Sequence, residues 1–207
     1  MTGEATGREY YFIGESLCLD FVNTEVIAGG NRTDLLGDFA DLVAWCAAAQ
    51  LVTPAQASEM LRQWTGGRDA ERAFKRAIEL RETLRVMVER LAAGRPAVLQ
   101  AALDSINDVL RTRAADLRVV RTKTGYETRY RPLFIDPAHL LVPIARSAAD
   151  LLSSSDLTLV RKCQNPQCIL YFYDTTKNHA RRWCSMTGCG NRAKAAAHYK
   201  RTRRSPS

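Results

Sequence analysis

No part of the 207-residue sequence approaches the roughly 18 consecutive apolar residues that a membrane-spanning helix needs. The first residues, MTGEATGREYY, lack the basic start and the apolar core of a secretory signal peptide. We therefore expect a cytoplasmic protein without a membrane partner. Thiols stay reduced in that compartment, so paired cysteines are predicted to bind metal rather than to form disulfides.

The short motifs of the common enzyme classes are also missing. The sequence has no glycine-rich phosphate loop, no nucleophile elbow and no pair of carboxylates placed for acid–base catalysis. We therefore expect that the protein is not an enzyme. Apolar residues nevertheless make up 46% of the chain and charged residues 25%, which is the composition of a folded globular protein.

Acidic residues are scarce in the last part of the chain. Residues 1–160 contain 19 Lys and Arg against 21 Asp and Glu, a net charge of −2. Residues 161–207, the basic C-terminal segment, contain 11 Lys and Arg against Asp174 alone, a net charge of +10. Charge concentrated in this way predicts a polyanionic partner, because it acts on binding rather than on fold.

Apolar residues at steps of three and four predict a helical N-terminal part. Thr53-Pro54 is typical of a helix start, with threonine as the N-cap and proline at the first helical position. Gly94 and Pro96 are expected to end the longest helix and to permit the next one. The predicted helices are 34–51 with Asp34 as its N-cap, 53–64, 69–93, 97–114 and 137–152, with a weaker one in 14–26.

Between Leu117 and Arg131 the apolar period changes to two around Lys123-Thr124-Gly125, which predicts a β-hairpin. The run Ser153-Ser154-Ser155 is small and polar and is expected to separate two units. We therefore predict an α+β fold that is mainly α. A helical domain with a small β-hairpin occupies residues 1–155, and a treble-clef-like zinc finger occupies residues 156–207.

Four of the six cysteines form two equally spaced pairs close together in the sequence. Four residues separate Cys163 from Cys168, four separate Cys184 from Cys189, and fifteen lie between the pairs. Two short-spaced pairs deliver the four thiolates that tetrahedral structural zinc prefers, at about 2.3 Å from the metal. We therefore predict one structural Zn²⁺ as the cofactor, without an open catalytic position.

The finger is expected to consist of a cysteine knuckle, a hairpin and a helix, in the order of a treble clef. The run 169–174 favours a strand, and 180–183 is expected to return antiparallel to it. Gly190-Asn191 is expected to open a helix over 192–203. So small a unit cannot build a full core, and the metal should supply part of its folding energy.

Basic and polar side chains on and around this helix predict a nucleic-acid-binding surface. A basic helix of this size fits the major groove of duplex DNA, where arginine recognises guanine. An alternative for Asn191 and Arg192 is a role in the fold, through the helix cap or the carbonyls of the knuckle. The candidate contact residues are Lys177, Arg181, Arg182, Asn191, Arg192, Lys194, His198, Lys200, Arg201, Arg203 and Arg204.

The run Cys189-Gly190-Asn191-Arg192, within WCSMTGCGNRAKAAAHYKR, resembles the CGNR signature of the C-terminal zinc finger named after it. The preceding helical part resembles the ABATE domain that usually comes before that finger, and LCLDFVNT at 17–24 is typical of its beginning. The resemblance covers nearly the whole chain. It implies a bacterial, stress-induced transcription regulator whose zinc ligands are the four cysteines.

We therefore expect a transcription regulator whose zinc module binds double-stranded DNA. One alternative is a zinc-stapled module for protein interaction. Another is a binder of RNA or single strands, in which Tyr171, Phe172, Tyr173 and Trp183 stack on bases rather than form an apolar pad beneath the metal. The helical domain is either a scaffold or a sensor that binds a small-molecule ligand, and a homodimer is a further expectation.

Overall fold

A computed structural model describes residues 2–5, 8–95, 100–112 and 115–202 of the chain. This part is mainly helical, with short antiparallel hairpins, so the predicted fold class is confirmed. The helices are α1 (Leu17–Val22), α2 (Phe39–Ala48), α3 (Pro54–Trp64), α4 (Arg68–Ala92), α5 (Gln100–Leu110), α6 (Val142–Ser154) and α7 (Asn191–Thr202). The strands pair as β1 (Thr2–Ala5) with β2 (Arg8–Tyr11), β3 (Glu25–Ala28) with β4 (Asn31–Asp34), β5 (Ala115–Thr122) with β6 (Gly125–Pro132), and β7 (Val160–Lys162) with β8 (Tyr171–Tyr173).

The longest helix, α4, lies at the centre of the helical part. It contacts α1, α2 and α5, the 3-10 turn Pro137–Leu141 that leads into α6, and strand β7. Its buried apolar residues recur at steps of three and four, the pattern that predicted the helix. They include Ala70, Ala73, Ala77, Leu80, Leu84, Val88 and Leu91. None of the described helices combines the length and the apolar character that crossing a membrane requires.

The helix ends follow the predicted capping chemistry at α3 but not at α2. The Thr53 hydroxyl accepts the backbone N–H of Gln56, whose side chain accepts the N–H of Thr53. Helix α2 is capped by Asp38, so the prediction of Asp34 as its cap is wrong. Asp34 ends β4 instead and pairs through both oxygens with the buried guanidinium of Arg81. A buried cation needs such a partner more than an exposed helix end does.

In the described part of the chain, three hairpins lie before the finger, and one of them was predicted. The one around Lys123-Thr124-Gly125 is confirmed as β5–β6, in which Thr122 is opposite Gly125. Hairpins β1–β2 and β3–β4 were not predicted. Gly29 and Gly30, both with positive φ, form the turn of β3–β4, and the Gly-Gly pair followed by Asn31 is the turn signal that could have revealed it.

Helix α1 carries the LCLDFVNT run and fixes the segment that precedes it. Asp20 is buried, and its Oδ1 accepts the backbone N–H groups of Ile13 at 2.9 Å and Gly14 at 2.7 Å. A Cβ at position 14 would lie 2.7 Å from the Cβ of Leu19, so glycine permits this close approach. The chain before α1 is therefore held against the helix by a carboxylate.

Asn23 and Thr24, at the end of the same run, bind distant parts of the chain. The amide of Asn23 donates to the carbonyl of Tyr171 at 2.8 Å and accepts the N–H of Tyr171 at 2.9 Å. Thr24 accepts a hydrogen bond from the guanidinium of Arg81 at 2.9 Å. Since Tyr171 lies in β8, the reciprocal pair joins α1 to the finger.

The finger and the helical part bury one main core. Val160 of β7 and Tyr171 of β8 belong to the same buried cluster as the apolar residues of α1 to α6. The predicted separator at Ser153 and Ser154 lies within the end of α6, and Ser155 follows it directly. The domain boundary at residue 155 stays a prediction, because a shared core does not show whether either part folds alone.

Replacing Asn23 by alanine should destabilise the protein by about 3 kcal/mol, because it leaves a buried N–H and a buried carbonyl of Tyr171 without partners. Urea denaturation followed by circular dichroism measures the change. Asn107→Ala on the exposed face of α5 is the control and should change stability by less than about 0.5 kcal/mol. Asn23→Asp should be no milder than alanine, because it places an oxygen against the Tyr171 carbonyl. Equal stabilities of the Asn23 and Asn107 variants would contradict this role.

Asp20 should make stability depend on pH between 7 and 5. Burial raises the pKa of Asp20 from 3.8 to about 6, although the N–H groups of Gly14 and Ile13 oppose the shift. A raised folded-state pKa adds stability at low pH that is lost as the pH rises through about 6. Lowering the pH from 7 to 5 should therefore stabilise the wild type relative to Asp20→Asn by about 1 kcal/mol.

Urea denaturation of both proteins at the two pH values measures this difference. Asparagine keeps the accepting Oδ1 but cannot titrate, so the variant isolates the proton. Effects of acid on the zinc site occur in both proteins and cancel in the comparison. A parallel pH dependence of the two proteins would exclude Asp20 as the titrating group.

Candidate metal centre and nucleic-acid interface

The first cysteine pair lies in the loop of the β7–β8 hairpin. The N–H of Cys163 donates to the carbonyl of Leu170 at 2.9 Å, which extends the hairpin by one step. Asn165 closes the turn, since its carbonyl accepts the N–H of Cys168 at 2.9 Å and its side chain accepts the N–H of Gln167 at 3.1 Å. Both sulfur-bearing residues are thereby turned toward the same side and are buried.

The second pair flanks the start of the wide helical turn Met186–Gly190, which precedes α7. Ser185 begins this turn, because its hydroxyl accepts the N–H of Gly188 at 3.3 Å and its carbonyl accepts the N–H of Gly190 at 2.9 Å. Cys184 precedes the turn and Cys189 lies within it. The last ligand is therefore attached directly to the start of α7, as predicted.

The four ligand residues converge on one point. Their sulfur atoms lie within 4.8 Å of one another, and the Sγ of Cys184 is 3.8 Å from that of Cys168 and 3.6 Å from that of Cys189. Tetrahedral zinc with bonds of about 2.3 Å places its sulfurs about 3.8 Å apart, whereas a disulfide requires about 2.05 Å. The donor set therefore fits one Zn²⁺. No other group of three or more potential ligands occurs among the described residues.

Crowding of the sulfurs explains why the site needs a cation. Hydrogen bonds from the thiols of Cys168 and Cys184 lower the pKa of Cys163. The bond to Cys163 raises the pKa of Cys168 to about 12, and the bonds to Cys163 and Cys168 raise the pKa of Cys184. Thiolates crowded this closely repel one another, so a metal ion that binds all four sulfurs offsets their charge.

An apolar pad supports the metal centre. The four cysteines form a buried cluster with Leu170, Phe172 and Val26, and Trp183 packs partly buried against it. Val26 comes from β3, so the hairpin that the sequence analysis missed covers the zinc site. Tyr171 points into the main core, where its hydroxyl donates to Glu89 at 3.3 Å. Phe172 therefore lies in the expected pad beneath the metal, whereas Tyr171 is buried in the main core, and neither ring is exposed for base stacking.

The segment between the cysteine pairs does not form the predicted hairpin. One edge of β8 pairs with β7, and the other is used by the Asn23 side chain and by the Gly14 carbonyl, which accepts the N–H of Tyr173 at 2.9 Å. No edge remains for 180–183 to pair with. The buried Asp174 instead organises a turn by accepting hydrogen bonds from Thr176 and from the N–H of Arg181. The predicted return strand is therefore wrong.

Arg181, a candidate nucleic-acid contact, has its guanidinium engaged within the fold. It donates to the carbonyls of Ile13 at 2.9 Å, Cys184 at 2.7 Å and Trp183 at 3.2 Å, and it pairs with Glu15 at 3.3 Å. It also lies over the Phe172 ring, 4.2 Å from the centroid. These contacts tie the cysteine segment to the chain before α1.

Gly190, Asn191 and Arg192 of the CGNR run also serve the turn. A Cβ at Gly190 would lie 2.8 Å from the sulfur of Met186, which covers the turn. The side chain of Asn191 donates to the carbonyl of Thr187 at 3.3 Å, so it bonds a carbonyl rather than caps the helix. The guanidinium of Arg192 donates to the sulfur of Cys189 at 3.0 Å, and this bond raises the pKa of Arg192.

The remaining candidates in the described part extend into solvent. The exposed residues are Lys177, Arg182, Lys194 and His198. Arg182 also donates to the side chain of Gln164 at 2.7 Å and lies over the Trp183 ring at 5.2 Å. For Lys200 and Arg201 the backbone of α7 is described but not the side chain, and Arg203 and Arg204 lie outside the described residues. Which of these residues contact nucleic acid stays a prediction.

Two family comparisons agree with this organisation. Residues 15–155, more than half of the chain, match the family model ABATE, which is described as "Putative stress-induced transcription regulator". Residues 160–202 match the CGNR zinc finger. No curated protein matches the chain. The order of the two matches confirms the resemblance seen in the sequence, and neither description names an enzymatic activity.

Replacing Cys184 by serine should release the metal, because a hydroxyl does not substitute for a thiolate at a four-thiolate site. Elemental analysis should find about one zinc per wild-type chain and less than about a tenth of that in the variant. Cys18→Ala, which removes a buried thiol outside the cluster, is the control and should retain zinc. Full zinc content in the Cys184 variant would contradict the ligand assignment.

The same variant tests the boundary at residue 155. Most of the helical signal should persist at room temperature, because α1 to α6 supply most of the main core. The midpoint of thermal unfolding should nevertheless fall, since the contacts of Asn23 and Arg181 depend on an ordered finger. Loss of the whole helical signal would show that residues 1–155 do not fold alone.

Proposed function

The chain belongs to the ABATE family and ends in a CGNR zinc finger, and from this premise we propose that it is a transcription regulator that binds double-stranded DNA through the finger. The observation that supports the proposal most is the exposure of the side chains of α7. Every side chain described in this helix is exposed except that of Ala193, which is half-buried. A helix of 12 residues with so little buried surface is marginal in water and is suited to a partner.

Charge identifies the class of partner. The single acidic residue of the basic C-terminal segment, Asp174, is buried and fully engaged by its own turn. The exposed charges described in this segment are consequently all positive, and they include Lys177, Arg182 and Lys194. A surface of this kind releases counterions when it contacts phosphates, so its affinity for DNA should fall steeply with salt.

Geometry favours duplex DNA over the alternatives. Helix α7 is about 18 Å long and can enter a major groove about 12 Å wide. Lys194 and His198 are four residues apart and therefore lie on the same face of the helix. The single-strand alternative loses support because Tyr171 and Phe172 are buried. The zinc-bound turn anchors the first residue of α7, which offsets part of the cost of nucleating the helix.

The roles proposed for the helical domain stay predictions. A groove of about 820 Å³ lies between α6 and the start of α1, and Tyr173 and Thr175 of the finger contribute to its wall. A small-molecule ligand bound there would contact both parts of the chain. We propose this groove as the site of the predicted ligand. A ligand that contacts both the helical part and the finger would couple its binding to the position of the finger. Homodimer formation has no comparable support among the described residues.

Binding of zinc-loaded full-length protein to labelled nucleic acids tests the function. A duplex selected from a random pool should bind at 50 mM salt and weaken by at least tenfold at 200 mM, because the predicted contacts are largely to phosphates. Single-stranded DNA and RNA of the same length should compete less well than the duplex. Stronger competition by single-stranded DNA or by RNA would favour the single-strand alternative. Absence of binding to every nucleic acid tested would contradict the proposal.

A triple variant, Lys177→Gln with Arg182→Gln and Lys194→Gln, should lower the slope of log affinity against log salt by about 2 to 3 units. The matched control removes three exposed charges elsewhere, with Arg62, Arg72 and Lys75 changed to Gln. Its slope should change by less than about 1 unit, because a distant charge makes no phosphate contact. Equal losses in both triples would mean that net charge, and not the finger surface, determines binding.

A further inference from the structure

Cys189 differs from the other three ligands in the donors around its sulfur. The Nη2 of Arg192 lies 3.0 Å from the Cys189 Sγ, and the side-chain amide of Asn165 donates to the same sulfur at 3.2 Å. Cys163 receives the backbone N–H of Cys184 at 3.5 Å. Among the described residues, Cys189 is the ligand whose sulfur accepts side-chain N–H groups from outside the cluster.

The two donors belong to different segments of the finger. Asn165 belongs to the first knuckle and Arg192 to the first turn of α7, so both cysteine-bearing segments meet at this sulfur. Asn165 is itself fixed by the N–H of Gln167, which its Oδ1 accepts at 3.1 Å. Its amide nitrogen is consequently oriented toward Cys189.

The negative charge of the metal site explains why these hydrogen bonds stabilise it. Four thiolates and one Zn²⁺ carry a net charge of −2, and the sulfurs are buried, so the site needs compensation in a medium of low polarity. A guanidinium donating to a thiolate forms a charge-assisted hydrogen bond, which is stronger than a neutral one. Groups that bind metal ligands in this way typically contribute 10-fold to 100-fold to metal affinity.

We propose that Arg192 and Asn165 are positioning residues of the zinc centre that act through Cys189, and that the arginine of the CGNR run serves the metal site rather than a phosphate. Arg192 orients and stabilises the thiolate at the start of α7. Asn165 does the same from the knuckle. The basic side chains that remain for a partner are those without a bond to a ligand sulfur, such as Lys194.

Zinc competition with a chromophoric chelator, on the full chain, tests the proposal. Arg192→Gln should lower the affinity for zinc by about 10-fold to 100-fold. Arg182→Gln is the matched control, since Arg182 is an exposed finger arginine whose Nε binds Gln164 and no ligand sulfur. Arg192→Lys should recover part of the loss, because it keeps the charge without the planar guanidinium.

Cobalt substitution separates a bond to sulfur from a general role in folding. Loss of an N–H group from the sulfur raises the energy of its lone pairs, so the sulfur-to-cobalt charge-transfer band of Arg192→Gln should shift to longer wavelength. Asn165→Asp should shift the band in the same direction, because it retains the acceptor for Gln167 and removes the donor to Cys189. Arg182→Gln should leave the spectrum unchanged.

Two outcomes would overturn the proposal. Equal zinc affinity in the Arg192→Gln and Arg182→Gln variants would show that the guanidinium does not support the site. A lower zinc affinity with an unchanged cobalt spectrum would show that Arg192 acts on the fold and not through Cys189. Helix content measured by circular dichroism on the zinc-loaded proteins identifies any variant that has lost α7.

Discussion

Four sulfurs within 4.8 Å of one another in a buried cluster require a cation, and the C-terminal part of the structure depends on that requirement. Four thiolates this close together repel one another, and a divalent ion bound to all four offsets that repulsion. Zinc then joins the β7–β8 loop to the turn that begins α7. The side chains of α7 that the structure describes are exposed or half-buried, so the turn is a main determinant of its position.

The effect of the metal extends beyond the finger because the finger is part of the main core. Asn23 holds the outer edge of β8, and Arg181 ties the second cysteine segment to the chain before α1. The Ile13-Gly14 segment in turn is held by the carboxylate of Asp20. A change in the helical part therefore has a physical route to the zinc module through α1, and the reverse holds as well.

The sequence predicts features that depend on neighbouring residues well, and contacts between distant residues poorly. The cysteine spacing, the capping box at Thr53 and the periodicity of α4 depend on neighbours in the chain, and all three are confirmed. The outer edge of β8, where the predicted return strand would pair, is bonded by Asn23, which is 148 residues away from Tyr171, and no local pattern reveals that contact. Aspartate is a favoured residue for a helix N-cap, but Asp34 instead pairs with the buried Arg81 of α4. The positive charge of Arg181 likewise does not reveal that its guanidinium donates to backbone carbonyls within the fold.

The CGNR run illustrates how signature residues and binding residues differ. Gly190 allows Met186 to cover the turn, Asn191 bonds a carbonyl of the turn, and Arg192 bonds a ligand sulfur. Each of these three residues thus helps to place the start of α7. Lys194 and His198, further along the helix, are exposed. The residues that hold the metal-bound turn are therefore separate from the exposed residues of α7, so the exposed residues can differ while the turn stays the same.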